Sequence, residues 1–262
     1  MSAALPLSEL RRRLAEAGDA DGRERWIAAL RDDPRAGARA LVRGLERRAA
    51  AERADRQRMR TLLARRNALR AAGARHVAGV DEVGVGPLAG PVVAAAVVLP
   101  DAVDLPGLDD SKRLDARTRE RLAAAIRTQA IAVAVAEATP EEIDRLNVYH
   151  AALLAMRRAV DALAVRPDHV LVDARTIPGI GATQTAIVHG DALDASIAAA
   201  SIVAKVHRDA LLRALEARYP GYGFARNAGY PTPEHLAALR VLGPSPIHRR
   251  SFAPVAACGG MR

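Results

Sequence analysis

Cysteine and lysine are what this chain of 262 residues nearly does without: Cys258 is the only cysteine, and Lys112 and Lys205 are the only lysines among 39 basic residues. A lone cysteine excludes an internal disulfide and a four-thiolate zinc site. Aromatics are scarce too, with one Trp, four Tyr and two Phe, so a ring inside a polar motif stands out. Apolar runs are broken by charge or proline and the N-terminus is polar, which argues against a membrane span or a secretion signal and leads us to expect a cytoplasmic protein.

Acidic charge is short only at one end. Residues 1–75 hold 19 Arg against 10 Asp and Glu, whereas the rest of the chain balances at 20 of each sign, so the net +9 is N-terminal. A neutral body with a basic arm suits a polyanionic partner; an Arg-rich solvated helix without a ligand is the other reading. Since arginine serves wherever generic positive surface is needed, lysine in DDSKR and in AAASIVAKV suggests a specific contact with phosphate or carboxylate, for which a compact ammonium differs from a planar guanidinium.

Residues 6–70 read as helical: Leu7, Leu10 and Leu14 recur at helical spacing, Asp33-Pro34 marks a helix start, and Ala, Arg, Leu and Glu dominate. Gly73 breaks this pattern, giving a junction near 71–76, an N-terminal extension over 1–75 anchored by Trp26, and a catalytic domain over 76–262. Beyond the junction, strands at 77–82, 91–99, 130–137, 169–173 and about 185–189 interleave with helices at 115–127, 148–163, 195–218 and 233–241. Thr139 and Glu142 form a capping box. The pattern predicts an α/β fold, a sheet covered by helices, without internal repeats; monomer is the default state.

What is present is most informative at VAGVDEVGVGPLAGP, residues 77–91, where Asp81 and Glu82 end an apolar run. Buried carboxylates need a cation or a strong hydrogen-bond network. Gly84, Gly86 and Gly90 leave backbone amides open to phosphate or sugar. Their spacing misses the dinucleotide fingerprint by one residue and no Gly-Lys-Ser/Thr follows; a plain turn between two strands is the competing reading. Asp173 ends HVLVD and Asp191 follows in IVHGD. Ligands of α/β sheets gather at the carboxyl ends of strands, so four such acids can converge. Asp81 and Glu82 can share a site only where the strand bends or ends, and Asp191 taken alone reads as the start of the following helix. An all-oxygen cluster selects Mg2+ or Mn2+, and two such ions would act on a phosphate ester. His150, His189, His207, His235 and His248 lack ligand spacing and read as surface or packing residues, as do Tyr219 and Tyr222.

The motifs VAGVDEVGVGPLAGPVVAAAVVL, GLDDSKRL, VLVDA, GDALDASIAAASIVAKVHRD, YPGYGFARNAGYPT and HRRSF, in this order over residues 77–256, closely resemble bacterial ribonuclease HII, and the arm is similar to an N-terminal extension of some members. The resemblance implies a ribonuclease-H-like mixed sheet flanked by helices, with C-terminal helices. It also implies a metal-dependent endonuclease that cuts RNA in RNA/DNA hybrids, and 5′ of single ribonucleotides in duplex DNA, leaving 3′-hydroxyl and 5′-phosphate ends. By the same resemblance Asp81, Glu82, Asp173 and Asp191 are catalytic metal ligands, the turn Gly84-Val85-Gly86 reads the ribose 2′-hydroxyl, and Tyr230 packs on the sugar at the junction. Lys112, Ser201 and Lys205 position the strand. Two departures stand out: Val85 occupies a place where the family usually has arginine, and Asn227-Ala228 stands where a His-Lys pair is frequent. A hybrid-binding protein without catalysis, and a metal-dependent DNA nuclease of the same broad fold, are the rival readings.

Overall fold

A computed structural model describes residues 5–16, 20–31 and 33–259. The chain forms two compact units, Met1–Arg60 and Thr61–Arg262. In the first, α1 (Leu7–Glu16), α2 (Ala20–Leu30) and the greater part of α3 (Ala36–Ala71) enclose Leu10, Ile27, Leu30, Val42 and Leu45, with Trp26 half-buried against them. Asp33 accepts from the backbone N–H of Arg35 ahead of α3, the role expected of Asp33-Pro34.

The second unit holds a five-stranded sheet: β1 (Val77–Val83), β2 (Val92–Val98), β3 (Ala132–Ala138), β4 (His169–Asp173) and β5 (Thr183–Ile187), in the order β3-β2-β1-β4-β5. β1, β2 and β3 pair antiparallel, and β1, β4 and β5 run parallel. A single 3-10 turn at Ser111–Arg113 precedes α4 (Ala116–Gln129); α5 (Pro140–Leu146) and α6 (Val148–Asp161) follow β3, and α5 opens with the expected Thr139/Glu142 capping box. After β5 come α7 (Gly190–Leu193), α8 (Ala195–Arg218), α9 (Phe224–Asn227), α10 (Pro233–Leu242) and α11 (Ala253–Gly259). No helix of the described residues is long and apolar enough to cross a membrane.

The sheet's two faces follow from period two. Val80, Val92, Ala94, Ala96, Val170 and Val172 pack on the apolar stripe of α6, whereas Val77, Leu171 and Ile187 meet Ile197 of α8. Gly79 belongs to the α8 face, and a Cβ there would lie 2.0 Å from the carbonyl carbon of Ser196, so β1 and α8 touch backbone to backbone.

One strand differs from its sequence reading. β5 covers Thr183–Ile187 instead of about 185–189. It is an edge strand with half-polar residues, so apolarity marks it poorly; Gln184 turns its amide back onto both Ile177 backbone groups. Val188 is 66% exposed, and left-handed backbone at His189 (φ 58°) ends the strand.

His235 and His248 are buried with Nε2 atoms 3.0 Å apart, packed on Tyr222 and Phe224, as the packing reading of these residues anticipates. Burial, then the neighbouring His235, holds His248 down from 6.5 to about 4. Above 6.5 the fold keeps the full benefit; as pH falls from there through about 4, the unfolded chain takes the proton first and this contribution to stability is lost. Buried carboxyls raised in the fold act in the opposite sense, so the effect is read as a difference: between these pH values wild type should lose melting temperature relative to His248→Gln. An equally steep profile in the variant would assign the effect to other groups.

Candidate active site

Parallel pairing puts the ends of β1 and β4 on one edge. The β1–β4 ladder closes at Val80↔Val172, so Asp81 and Asp173 are the next residues on adjacent strands. β1 continues against β2 as far as Val83↔Val93. Asp81 takes the α8 face, on the side of Ser201, and its Oδ1 accepts the N–H of Glu82 at 2.8 Å. Glu82 takes the other face and meets Arg175 at 3.3 Å; the Arg175 guanidinium lies 5.1 Å from the Tyr149 ring centre on α6. The two neighbouring carboxylates thus straddle the end of β1, as strand alternation requires.

Asp173 Oδ1 accepts from the N–H of Gly190 at 2.7 Å, which ties β4 to α7 and to Asp191. Lys112 Nζ reaches Asp191 Oδ2 at 3.0 Å. Asp191 read alone as a helix-start residue, but Asp194 does that work: its Oδ1 accepts from Ser196 and Ile197 at the head of α8, and Asp191 is left to face Lys112.

Electrostatics joins the four acids. Burial raises Asp81 well above the ordinary carboxylate range, and the charges of Glu82 and Asp173 add to this. Glu82 is raised by burial against the pull of Arg175, and Asp173 by burial with Asp191 adding. Lys112 is raised despite burial, through its bond to Asp191 and the acids around it. Among the described residues no three Asp, Glu, His or Cys side chains are grouped closely enough to hold a metal ion as they stand. The donor chemistry nevertheless fits a hard dication: all four are carboxylates, and Glu82 Oε2 is buried without a hydrogen-bond partner.

The turn Gly84-Val85-Gly86 leads straight from β1. A Cβ on Gly86 would lie 3.7 Å from Tyr230 Cε1, so the turn and the half-exposed Tyr230 ring flank one surface. Val85 packs its side chain on the α6-side core. The Ser201 hydroxyl pairs with Ser111 Oγ at 2.9 Å, next to Lys112. Lys205, one turn further along α8, is held by Asp209 at 2.7 Å and is not brought onto the acids. Non-glycine residues with left-handed backbone cluster here: Ala174 follows Asp173, His189 precedes Gly190-Asp191, and Ala228 precedes Gly229-Tyr230. Such strain concentrates where surrounding structure holds functional groups in place.

Three arginines of this region escaped sequence reasoning. Besides Arg175, Arg208 and Arg249 are wholly buried. Arg208 donates to the carbonyls of Ala89, Pro91 and Ala228 at 2.9–3.1 Å. Arg249 donates to Gly84, Val85, Pro87 and Gly90 at 2.5–3.0 Å. Both lie in the quoted motifs AKVHRD and HRRSF, but nothing local separates them from the other arginines.

A mixed sheet of this order, with acids at the ends of its central parallel strands, is the ribonuclease-H-like arrangement that the sequence motifs imply. The family model "Ribonuclease HII" matches residues 78–255 and the model "Ribonuclease HII N-terminal domain" residues 7–69. The chain belongs to the ribonuclease HII family. It is 59% identical to ribonuclease HII of Myxococcus xanthus over 87% of this chain and 78% of that one. Identity is 54% with the Anaeromyxobacter protein, covering 97% of this chain and 80% of the other. Among solved structures, ribonuclease H2 from Pyrococcus horikoshii aligns at a TM-score of 0.61 with 29% identity, over 70% of this chain and 97% of that one.

Proposed function

We propose that this ribonuclease H is a cytoplasmic, monomeric, metal-dependent enzyme that cuts the RNA strand of RNA/DNA hybrids and the 5′ side of a single ribonucleotide in duplex DNA. Products carry 3′-hydroxyl and 5′-phosphate ends. The supporting observation is the electrostatically joined set Asp81, Glu82, Asp173 and Asp191 beside an open glycine turn. These four would hold Mg2+ or Mn2+, two ions during turnover, and the orphaned Glu82 Oε2 would gain a partner. When bound, such ions activate water and stabilise the leaving 3′-oxygen.

The chain's own groups then divide the remaining work. Ser201 orients Asp81 from α8, and Lys112, close to the acids, contacts the phosphate strand. Lys205 extends this track along α8. The backbone of Gly84, Val85 and Gly86 reads the 2′-hydroxyl, the atom that separates RNA from DNA, and the Tyr230 ring packs on the neighbouring sugar. The N-terminal extension, residues 1–75, carries the excess positive charge and suits a polyanionic strand, and residues 76–262 form the catalytic domain.

Labelled duplexes test this reading: one with a single ribonucleotide, one long hybrid and one all-DNA, each incubated with and without magnesium. We expect metal-dependent cuts in the first two only. Binding without cutting would favour a hybrid-binding protein, and cutting of all-DNA a DNA nuclease. Val85→Arg tests the turn's missing charge. It should tighten binding to the single-ribonucleotide duplex and steepen the salt dependence by roughly one released counterion. Unchanged binding and rate would mean that the absent arginine is inconsequential in this chain.

A further inference from the structure

Arg208 and Arg249 are two wholly buried cations whose hydrogen bonds all go to carbonyl oxygens, seven between them. Burial, and then the charge of Arg208, brings Arg249 down to about 9. Placing like charges together in the interior without a bonded carboxylate opposes folding by several kcal/mol, so stability alone is a poor reason for the arrangement. Its location supplies a better one. Arg249 takes the carbonyls of Gly84 and Val85, and those oxygens belong to the same peptide units as the N–H groups of Val85 and Gly86. Neither N–H has an acceptor among the described residues. Drawing a carbonyl onto a cation polarises its peptide and makes the opposite N–H a stronger donor.

Arg208 extends the same anchoring to both walls. It joins Ala89 and Pro91 of the glycine segment to Ala228, two residues before Tyr230. Glycine is needed at position 84 for this: the backbone is left-handed (φ +89°), and a Cβ would stand 2.2 Å from Arg208 Nε. Gly229 is constrained likewise, its Cβ position being 2.6 Å from the Ala89 carbonyl oxygen.

We propose that Arg249 and Arg208 are positioning residues for ribose recognition: by holding inward the carbonyls around the glycine turn, they fix and strengthen the outward N–H donors of Val85 and Gly86. The inference rests on the reading of that turn as the 2′-hydroxyl sensor. A ribose hydroxyl oxygen accepts from such donors, and deoxyribose presents no equivalent.

The test is the ratio of affinities for one duplex with and without a single ribonucleotide, measured with calcium in place of magnesium so that binding is read apart from cleavage. In Arg249→Lys, whose ammonium cannot span four carbonyls, the ratio should fall about tenfold, with affinity for the all-DNA duplex nearly unchanged. A lowered melting temperature with an intact ratio would overturn the proposal, leaving Arg249 a structural staple. Arg208→Lys, further from the donors, should give a smaller loss of the same kind. If neither variant folds, wild-type amide proton shifts decide: those of Val85 and Gly86 should move downfield with the ribonucleotide duplex and stay in place with the all-DNA one, and identical shifts would overturn the assignment. A wild-type protein that does not distinguish the duplexes at all would instead sink the reading of the turn.

Discussion

Asp81→Asn should lower cleavage about a thousandfold or more, on the scale of losing a central electrostatic group in a catalytic site, while its melting temperature stays level or rises. The carboxylate is 5% exposed and its charged form is disfavoured by burial and by Glu82 and Asp173. Asparagine fills the same volume and still accepts the N–H of Glu82, so the fold loses a repulsion and keeps that bond. The proposed chemistry loses a ligand charge that an amide does not replace. Single-turnover cleavage of the ribonucleotide duplex in magnesium, beside calorimetry of both proteins, checks the two halves together. Substantial residual cutting by a well-folded variant would remove Asp81 from the catalytic set.

Gly79→Ala, by contrast, should damage the fold first, by about 3 kcal/mol or more, at the upper end of overpacking costs. The added methyl would lie 2.0 Å from the Ser196 carbonyl carbon and 2.3 Å from the N of Ile197. Those are backbone atoms of the first turn of α8, which rotamer changes cannot move aside. β1 and α8 would have to part, and with them Asp81 and Ser201, two residues beyond Gly79 on the strand and one to two turns along the helix. Urea denaturation measures the loss of stability. A wild-type midpoint would show that the strand and helix are more loosely packed than their backbone contact implies.

Much of this was legible beforehand, for identifiable reasons. Four of the five strands stood out because buried strands here are nearly continuous Val and Ala, and the helices because their apolar residues recur at helical spacing or follow a cap such as Thr139. β5 was displaced because an edge strand needs apolar residues on one face only. The four acids could be collected at one edge because each ends or follows an apolar run, and parallel strands bring such ends together. Opposite facing of Asp81 and Glu82 was equally foreseeable from period two, but not that Arg175 would meet Glu82.

Chain order and residue chemistry alone thus set the sheet class, the one-edge placement of Asp81, Glu82, Asp173 and Asp191, and the bare glycine turn, because each depends on local periodicity and on where an apolar stretch stops. Tertiary structure alone selected Arg208 and Arg249 from a chain rich in arginine, exchanged the capping role of Asp191 for Asp194, and turned Lys205 toward Asp209. Those outcomes depend on which carbonyl, amide or carboxylate lies within about 3 Å of a side chain once distant segments have packed, and hydrogen-bond reach of that kind leaves no mark in local sequence.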